Sequence, residues 1–223
     1  MWDVDTDLGD NSFPEAVAWF RERVPMTAVQ FAEVTEHARR KAFKVAGVSQ
    51  LEVVTEAWAA LDAAIDEGTD LRAFVAAVGD QLEAAWGRPN GPRLENIFRT
   101  NVQSAYGAGR MTMQDDPAIR EARPFRRFVA VLDSRTSQIC GPLNGTVLPS
   151  DDSFWLTRNP PLHFQCRSTV ITLTPEQAEE FGVADKAPDV EPLEGFGNPL
   201  ADYEPDLSGM PAPLVAQYRA RSR

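Results

Sequence analysis

The strongest constraint on the fold is a run of alternating helix start and stop signals in the first half of the chain. Ser12 and Glu15 have the spacing of a capping box, with Pro14 in the first turn; Val17, Phe20 and Val24 follow at helical spacing, and Pro25 closes the run. Thr27 and Gln30 repeat the pattern ahead of Phe31, Val34, Ala38, Ala42 and Val45, with Gly47 as the stop. Ser49 and Glu52 make a third capping box ahead of the stripe Leu51, Val54, Trp58, Leu61 and Ile65, which Gly68 closes. The stripe Leu71, Phe74, Val75, Val78, Leu82 and Trp86 comes next and ends at Gly87. Each stripe is narrow and one-sided, which predicts helices that pack on each other or on a partner. A fifth helix is predicted after Pro92, through Leu94, Ile97, Phe98, Val102 and Ala105, ending near Gly109. Arg99 and Asn101 fall in its middle with Thr100. Asn and Thr are poor helix formers there, so a hydrogen-bonding role and an ordinary polar face are both open.

The character of the chain changes after Arg110. Asp116-Pro117 opens a short helix that Pro124 closes, and residues 127–132 (Arg-Phe-Val-Ala-Val-Leu) have strand composition. Asp133 has the position of a cap for a short helix running through Cys140. Asn144-Gly145 is a turn signal, and Asp151 or Asp152 can cap a short helical piece holding Phe154 and Trp155. Pro160-Pro161 demands extended backbone, and Thr169 to Leu173 alternates as a second strand, expected to pair antiparallel with the first. Thr174 and Gln177 form another capping box, with Gly182 as the stop. From Ala184 the chain is rich in prolines and acids without a hydrophobic period. Such a tail is expected to bury too little surface to order itself, apart from a short amphipathic piece around Leu214, Val215 and Tyr218. The fold class expected is α+β: an acidic arm over 1–12, a helical part over 13–112, a small unit with a short antiparallel sheet over 113–183, and a Pro-rich extended tail over 184–223.

Charge narrows the function classes. The net charge of −11 opposes general wrapping of nucleic acid. It is uneven, however: Arg88 to Arg135 holds nine arginines against five acids. That cluster would serve a DNA-contacting packaging factor; the structural alternative is pairing with the acidic remainder of the chain, and it is the preferred one. No apolar run approaches the ~20 residues of a membrane span, so no membrane contact is expected. The acidic start lacks the basic and apolar blocks of a secretory signal, which predicts a cytoplasmic protein.

The chemistry-bearing residues concentrate late in the chain. Cys140, His163 and Cys166 are candidate metal ligands, and His-x-x-Cys spacing suits convergence on one ion. Three alternatives stand: bound zinc with Asp133 as an available fourth ligand, a Cys140–Cys166 disulfide, or reduced cysteines and a hydrogen-bonded histidine in a metal-free core. The metal-free core is the preferred one, so no cofactor is required. An enzyme alternative makes Cys140 the nucleophile, His163 the base and Asp133 the orienting acid of a hydrolase. No nucleophile elbow or Gly-rich oxyanion turn surrounds Cys140, and no P-loop or dinucleotide fingerprint is present, so a non-enzymatic protein is expected. Asp133, Arg135 and Arg167 are assigned a structural role, crosslinking the small sheet unit through bidentate hydrogen bonds, with Asn144 and Gly145 as its turn. His37 is expected on a solvated helix face.

The ordered set Asp133-Ser-Arg135-Thr136, Cys140, Leu143-Asn144-Gly145, Asp151-Asp152-Ser-Phe154-Trp155, Pro160-Pro161-Leu-His163 and Cys166-Arg167 resembles the phage Mu F-like, or head morphogenesis, domain. Upstream, Arg99-Thr-Asn101, Tyr106, Gly109-Arg110 and Arg123-Pro124 fall where that family places them, and the resemblance extends from about Phe13 to Gly182. It implies a minor capsid protein of a tailed phage or phage-like particle. Such a protein acts by contacts with the portal protein and with the major capsid or scaffolding protein, first in the host cytoplasm and then inside the head near the portal vertex. It implies no catalysis. Many relatives complete a metal site with Cys-x-x-Cys and Cys-Arg-Cys pairs; here the outer positions are Ser137 and Ser168.

Overall fold

The computed structural model describes residues 13–34, 39, 41–197 and 212–221. The acidic arm, Ser12, His37 and Ala38 lie outside the described residues, as do the side chains of Leu214 and Tyr218. The fold is α+β, and its contacts gather into two compact units: residues 1–98 with 205–223, and residues 99–204. The division falls at Phe98/Arg99, inside a long helix, whereas the boundary expected from the sequence lies at 112/113.

The first unit is helical. Helix α1 (Pro14–Arg21) packs on α3 (Leu51–Asp66), which packs on α4 (Leu71–Trp86). Phe20 stacks on Trp58 with ring centroids 5.7 Å apart. Arg21 bridges the same two helices by bonding Asp62 and Asp66 at 2.9 and 2.6 Å. The buried faces are those expected from the periodicity: Val54, Leu61 and Ile65 on α3, and Phe74, Val78 and Leu82 on α4. Gly87 closes α4 in the left-handed conformation that a Cβ disfavours.

Apart from the first stripe, whose Val24 lies beyond the end of α1 in a short strand, two expectations fail in this unit. The helix predicted from Phe31 to Val45 stops early: α2 is Ala28–Glu33, ended by extended backbone at Val34. Ala42–Phe43 is instead a short strand, β2, parallel to β1 (Val24–Pro25). The cause is backbone hydrogen bonding on either side of Pro25, which has no N–H of its own. Val24 N–H reaches Lys41 O at 2.8 Å and Met26 N–H reaches Phe43 O at 2.9 Å. Among the described residues, Phe31 in α2 and Ala42 in β2 keep the spacing of one helical stripe without sharing a helix. The second failure is the capping box at Ser49: Gln50 holds the cap position of α3 and makes no side-chain cap. The Thr27 box is fully formed, with both reciprocal hydrogen bonds. Helix α9 (Ala212–Arg221) places Val215 against Val24, Met26 and Val34.

The second unit begins within α5 (Gly91–Asp115) and continues through α6 (Pro117–Ala122), β3 (Phe125–Val129), α7 (Cys140–Leu143), β4 (Val147–Pro149), a 3-10 turn over Ser153–Leu156, β5 (Thr169–Leu173) and α8 (Pro175–Phe181). The sheet has the order β4-β3-β5 and is antiparallel throughout, with Phe125 opposite Leu173 and Val129 opposite Thr169. The two expected strands therefore pair, but the first is shifted from 127–132 to 125–129. Its end is set by Asn144, whose Oδ1 takes the Ala130 N–H at 2.9 Å in place of a strand partner.

Helix α5 passes through Gly107 and Gly109 and runs on to Asp115, against the expected stop near Gly109. At Gly107 glycine serves close approach: a Cβ there would lie 2.3 Å from the carbonyl oxygen of Pro160. The Pro160–Pro161 peptide is cis. The start of the tail also departs from expectation, because residues 184–197 are held against the unit. Ala184 N–H bonds Val147 O at 2.9 Å, Leu193 N–H bonds Leu162 O at 2.9 Å, and Gly197 N–H bonds Pro161 O at 3.0 Å. Ala184, Ala187 and Val190 cover the core built on Phe128, Leu143, Trp155 and Val170. Prolines 188 and 192 carry no N–H, so a few such bonds satisfy the extended segment without a strand ladder.

Candidate functional site

Two segments of the second unit, the start of α7 and the loop that leads into β5, converge at Cys140, His163 and Cys166. Cys140 opens α7. Ser137 positions it, its Oγ accepting the Cys140 N–H at 2.9 Å. The helix expected to start at an Asp133 cap therefore starts only at Cys140, and Asp133 shapes the preceding turn instead: its Oδ1 takes the Arg135 N–H at 2.8 Å, and its carbonyl takes the Thr136 N–H at 3.0 Å. The Asn144-Gly145 turn returns the chain, with Gly145 at φ 85° and its N–H on Phe128 O at 2.8 Å. Next, Asp152 Oδ1 caps the 3-10 turn at Phe154 N–H, and buried Trp155 donates its Nε1–H to Pro149 O, both at 2.8 Å. These closures carry the chain to His163 and Cys166.

Cys140 Sγ lies 3.2 Å from His163 Nε2 and 3.7 Å from Cys166 Sγ, and the three donor atoms all lie within 4.8 Å of one another. Both cysteines are buried and unbridged. His163 Nδ1 lies 2.7 Å from Phe164 O; donation of its proton to that carbonyl leaves Nε2 as the lone-pair nitrogen facing the sulfurs. The two sulfurs are in hydrogen-bond contact, which splits their acidities. The hydrogen bond from Cys140 pulls the Cys166 thiol down to about 5, against its burial. The same bond, together with burial, pushes Cys140 up. Such a pair gives up its first proton readily and its second with difficulty.

Asp133 and Arg167 form a two-pronged ion pair beside this cluster, with both oxygen–nitrogen distances 2.7 Å. Arg167, and then the Arg135 N–H, hold the Asp133 carboxyl well below the usual carboxylate range. Arg135 reaches Asp133 through its backbone, not through a bidentate guanidinium contact. This geometry bears on the hydrolase alternative. His163 Nδ1 faces a backbone carbonyl, and Asp133 is engaged by Arg167, so the three residues do not form a Cys-His-Asp relay. Arg99 is exposed and Asn101 half-buried on the middle turns of α5.

Much of the arginine cluster is used internally. Arg123 bonds Thr172 and Gln177, buried Arg126 pairs with Asp115, Arg110 bonds Thr169, and Arg127 covers the Phe181 ring at 4.0 Å. The sequence pattern did not single out several site residues. Ser137 stands three residues before Cys140, an ordinary cap spacing, and was readable in principle. Ser168, marked in the sequence only as an outer position of the relatives' metal pattern, has its hydroxyl on the Cys140 sulfur, and Gln165, at φ 55° between His163 and Cys166, carries no sequence signal. Nor do Gln103 and Gln114, which donate to Ser168 O and Val170 O from α5 and line a cavity of about 160 Å³ with Tyr106, Arg110 and Asn159.

The chain is 29% identical over 186 residues to the protein named capsid assembly protein F in Escherichia phage Mu, covering 76% of this chain and 42% of that one. It is 32% identical over 172 residues to the Mu-like prophage FluMu F protein of Haemophilus influenzae, covering 71% of this chain and 41% of the relative. It thus spans less than half the length of either relative. No solved structure matches it. The family model of the Phage Mu protein F like proteins matches residues 57–171, from α3 to β5 and across the whole Cys/His cluster, and the chain belongs to that family.

Proposed function

We propose that this chain acts in phage head assembly as a minor capsid component, working by protein–protein contact and not by catalysis. The observation that carries the reading is the family match over 57–171, which takes in helices of the first unit together with the sheet and cysteine loops of the second. A relative of the same family is named for capsid assembly. The internal use of the candidate catalytic groups supports a binding role: Asp133 is committed to Arg167, and His163 Nδ1 to a carbonyl. The partners proposed are the portal protein and the major capsid or scaffolding protein, met in the host cytoplasm during assembly and retained inside the head near the portal vertex. Exposed helix faces and the Pro-rich tail serve as docking surfaces. Tagged chain expressed with the portal and capsid proteins of its own particle should co-purify with the portal and sediment with procapsids. Absence from both procapsids and finished particles, with unchanged particle yield when the gene is deleted, would defeat the proposal.

A further inference from the structure

Cys140 and the His163-x-x-Cys166 turn arrive from two separate pieces of backbone, and the separations of Cys140 Sγ from the other two donor atoms are close to those of a metal coordination shell. A zinc ion with arms of about 2.3 Å to sulfur and about 2.0 Å to imidazole nitrogen holds two thiolates roughly 3.8 Å apart at a tetrahedral angle, and a sulfur and a nitrogen roughly 3.5 Å apart. The Sγ–Sγ distance is 3.7 Å and the Cys140 Sγ–His163 Nε2 distance 3.2 Å. A disulfide would require the sulfurs to close to about 2.05 Å. The carbonyl of Phe164, 2.7 Å from Nδ1, supplies the outer hydrogen bond that fixes the ring of a ligating histidine. The turn from His163 to Cys166 is closed by the Cys166 N–H on His163 O at 3.3 Å and bent at Gln165.

The fourth vertex is the informative one. Ser137 and Ser168 stand against Cys140, but both hydroxyls are engaged there, Ser137 with its N–H and Ser168 with its sulfur. A serine alcohol is also outside the usual zinc ligand set of thiolate, imidazole and carboxylate. The carboxylate nearby, Asp133, is held on both oxygens by Arg167. Beside the donors lies a depression of about 20 Å³, lined among others by Arg135, Ser137, Gln165 and Arg167. It has room for about one water-sized group, with two guanidinium-bearing residues at its wall.

We propose that Cys140, His163 and Cys166 bind one zinc ion whose fourth position is open to an external oxygen or small anion. Three protein ligands and one exchangeable ligand is the pattern of zinc sites that receive a group from outside, as opposed to those that only brace a fold. Arg135 favours an anionic group there, a carboxylate above all, while Arg167 stays committed to Asp133. This inference is independent of the head-assembly reading, since a zinc site can exist whatever the chain docks on.

The test uses the full chain kept reduced. After loading and dialysis it should retain one zinc per chain by elemental analysis, and the C140S/C166S variant should lose that zinc. Should the variant fail to fold by circular dichroism, cobalt(II) titration of the metal-free wild type decides: saturation at one equivalent with sulfur-to-metal charge transfer and intense tetrahedral d–d bands is expected. Azide or acetate should shift those d–d bands, and Ser168→Cys should abolish the shift by closing the fourth position. Folded, reduced wild type that holds no zinc and gives no charge-transfer band overturns the site. A tetrahedral cobalt spectrum that anions leave unchanged overturns the open position.

Discussion

Gly107→Ala isolates the close approach between α5 and the Pro160 loop. In an unobstructed helix interior the change stabilises by about 1 kcal/mol, because alanine loses less backbone entropy on folding. Here the new Cβ would stand 2.3 Å from Pro160 O, 3.4 Å from Pro160 C and 3.6 Å from Pro161 Cδ. Carbon and carbonyl oxygen rest at roughly 3.3 Å or more even in favourable C–H···O contacts, so about 1 Å must open. The obstacle is backbone and cannot rotate away. The loop is also tethered next door, where Asn159 N–H bonds Gly197 O at 3.3 Å and Gly197 N–H bonds Pro161 O at 3.0 Å. Overpacking of this kind costs about 1–3 kcal/mol, and a backbone obstacle puts it at the upper end. Subtracting the propensity gain leaves a net loss of about 2 kcal/mol. Urea unfolding followed by far-ultraviolet circular dichroism measures it. The control is Gly91→Ala at the start of the same helix, where a Cβ meets nothing within 4 Å and the effect should be neutral or slightly stabilising. A Gly107→Ala protein as stable as wild type would refute the close-approach account, and one more stable would reverse it.

Further outcomes follow from charge and capping. Asp115→Asn should destabilise by about 3 kcal/mol in the same urea assay, because it leaves the buried Arg126 guanidinium without its counter-ion; Arg126→Met, which removes the charge, should cost less. Asp133→Asn should flatten the acid limb of stability. The folded carboxyl titrates well below its unfolded value of about 3.9, so the wild type has the full contribution above that pH and loses it only as pH falls on through the folded carboxyl's own range; thermal melts of the two proteins should keep their separation down to about pH 4 and draw together only as the pH is taken toward about 2. Thr174→Ala removes one half of the capping box on α8 and should cost about 1 kcal/mol, read as a lower unfolding midpoint.

Most local signals were legible, the Ser49 box and the Asp133 cap excepted. The Thr27 and Thr174 boxes, the Asp116 and Asp152 caps, and the stops at Gly68, Gly87 and Gly182 all act within a few residues of themselves. What escaped was decided at long range. Nothing near Ala42 announces that Lys41 O and Phe43 O will accept N–H groups from Val24 and Met26. A glycine in a helical stripe reads as a stop, yet Gly107 is demanded by a carbonyl more than fifty positions away. At the candidate site the ligand types and the His-x-x-Cys spacing were visible. The part played by Ser168 was not, because it depends on where the approach to β5 lands beside α7. Likewise Asp133 and Arg167 were grouped by type, while the manner of contact, guanidinium for Arg167 and backbone N–H for Arg135, needed the turn itself.

The motifs that mark the family turn out to encode loop closures more than chemistry. Asn144 ends β3 by taking the Ala130 N–H, Asp152 caps the 3-10 turn, Trp155 ties that turn to Pro149, and Arg167 joins the approach to β5 to the Asp133 turn. Each closure fixes one of the loops that deliver Cys140, His163 or Cys166. A cluster positioned this way does not depend on the donors to hold its loops together, which is how Ser137 and Ser168 can stand beside it as hydrogen-bonding residues while the fold persists. The same logic makes the scaffold and the metal separable in experiment. Breaking the Asp133–Arg167 pair should loosen the loops whether or not zinc is present, whereas Ser168→Cys should alter metal behaviour and leave the sheet register, set by β3 against β4 and β5, unchanged.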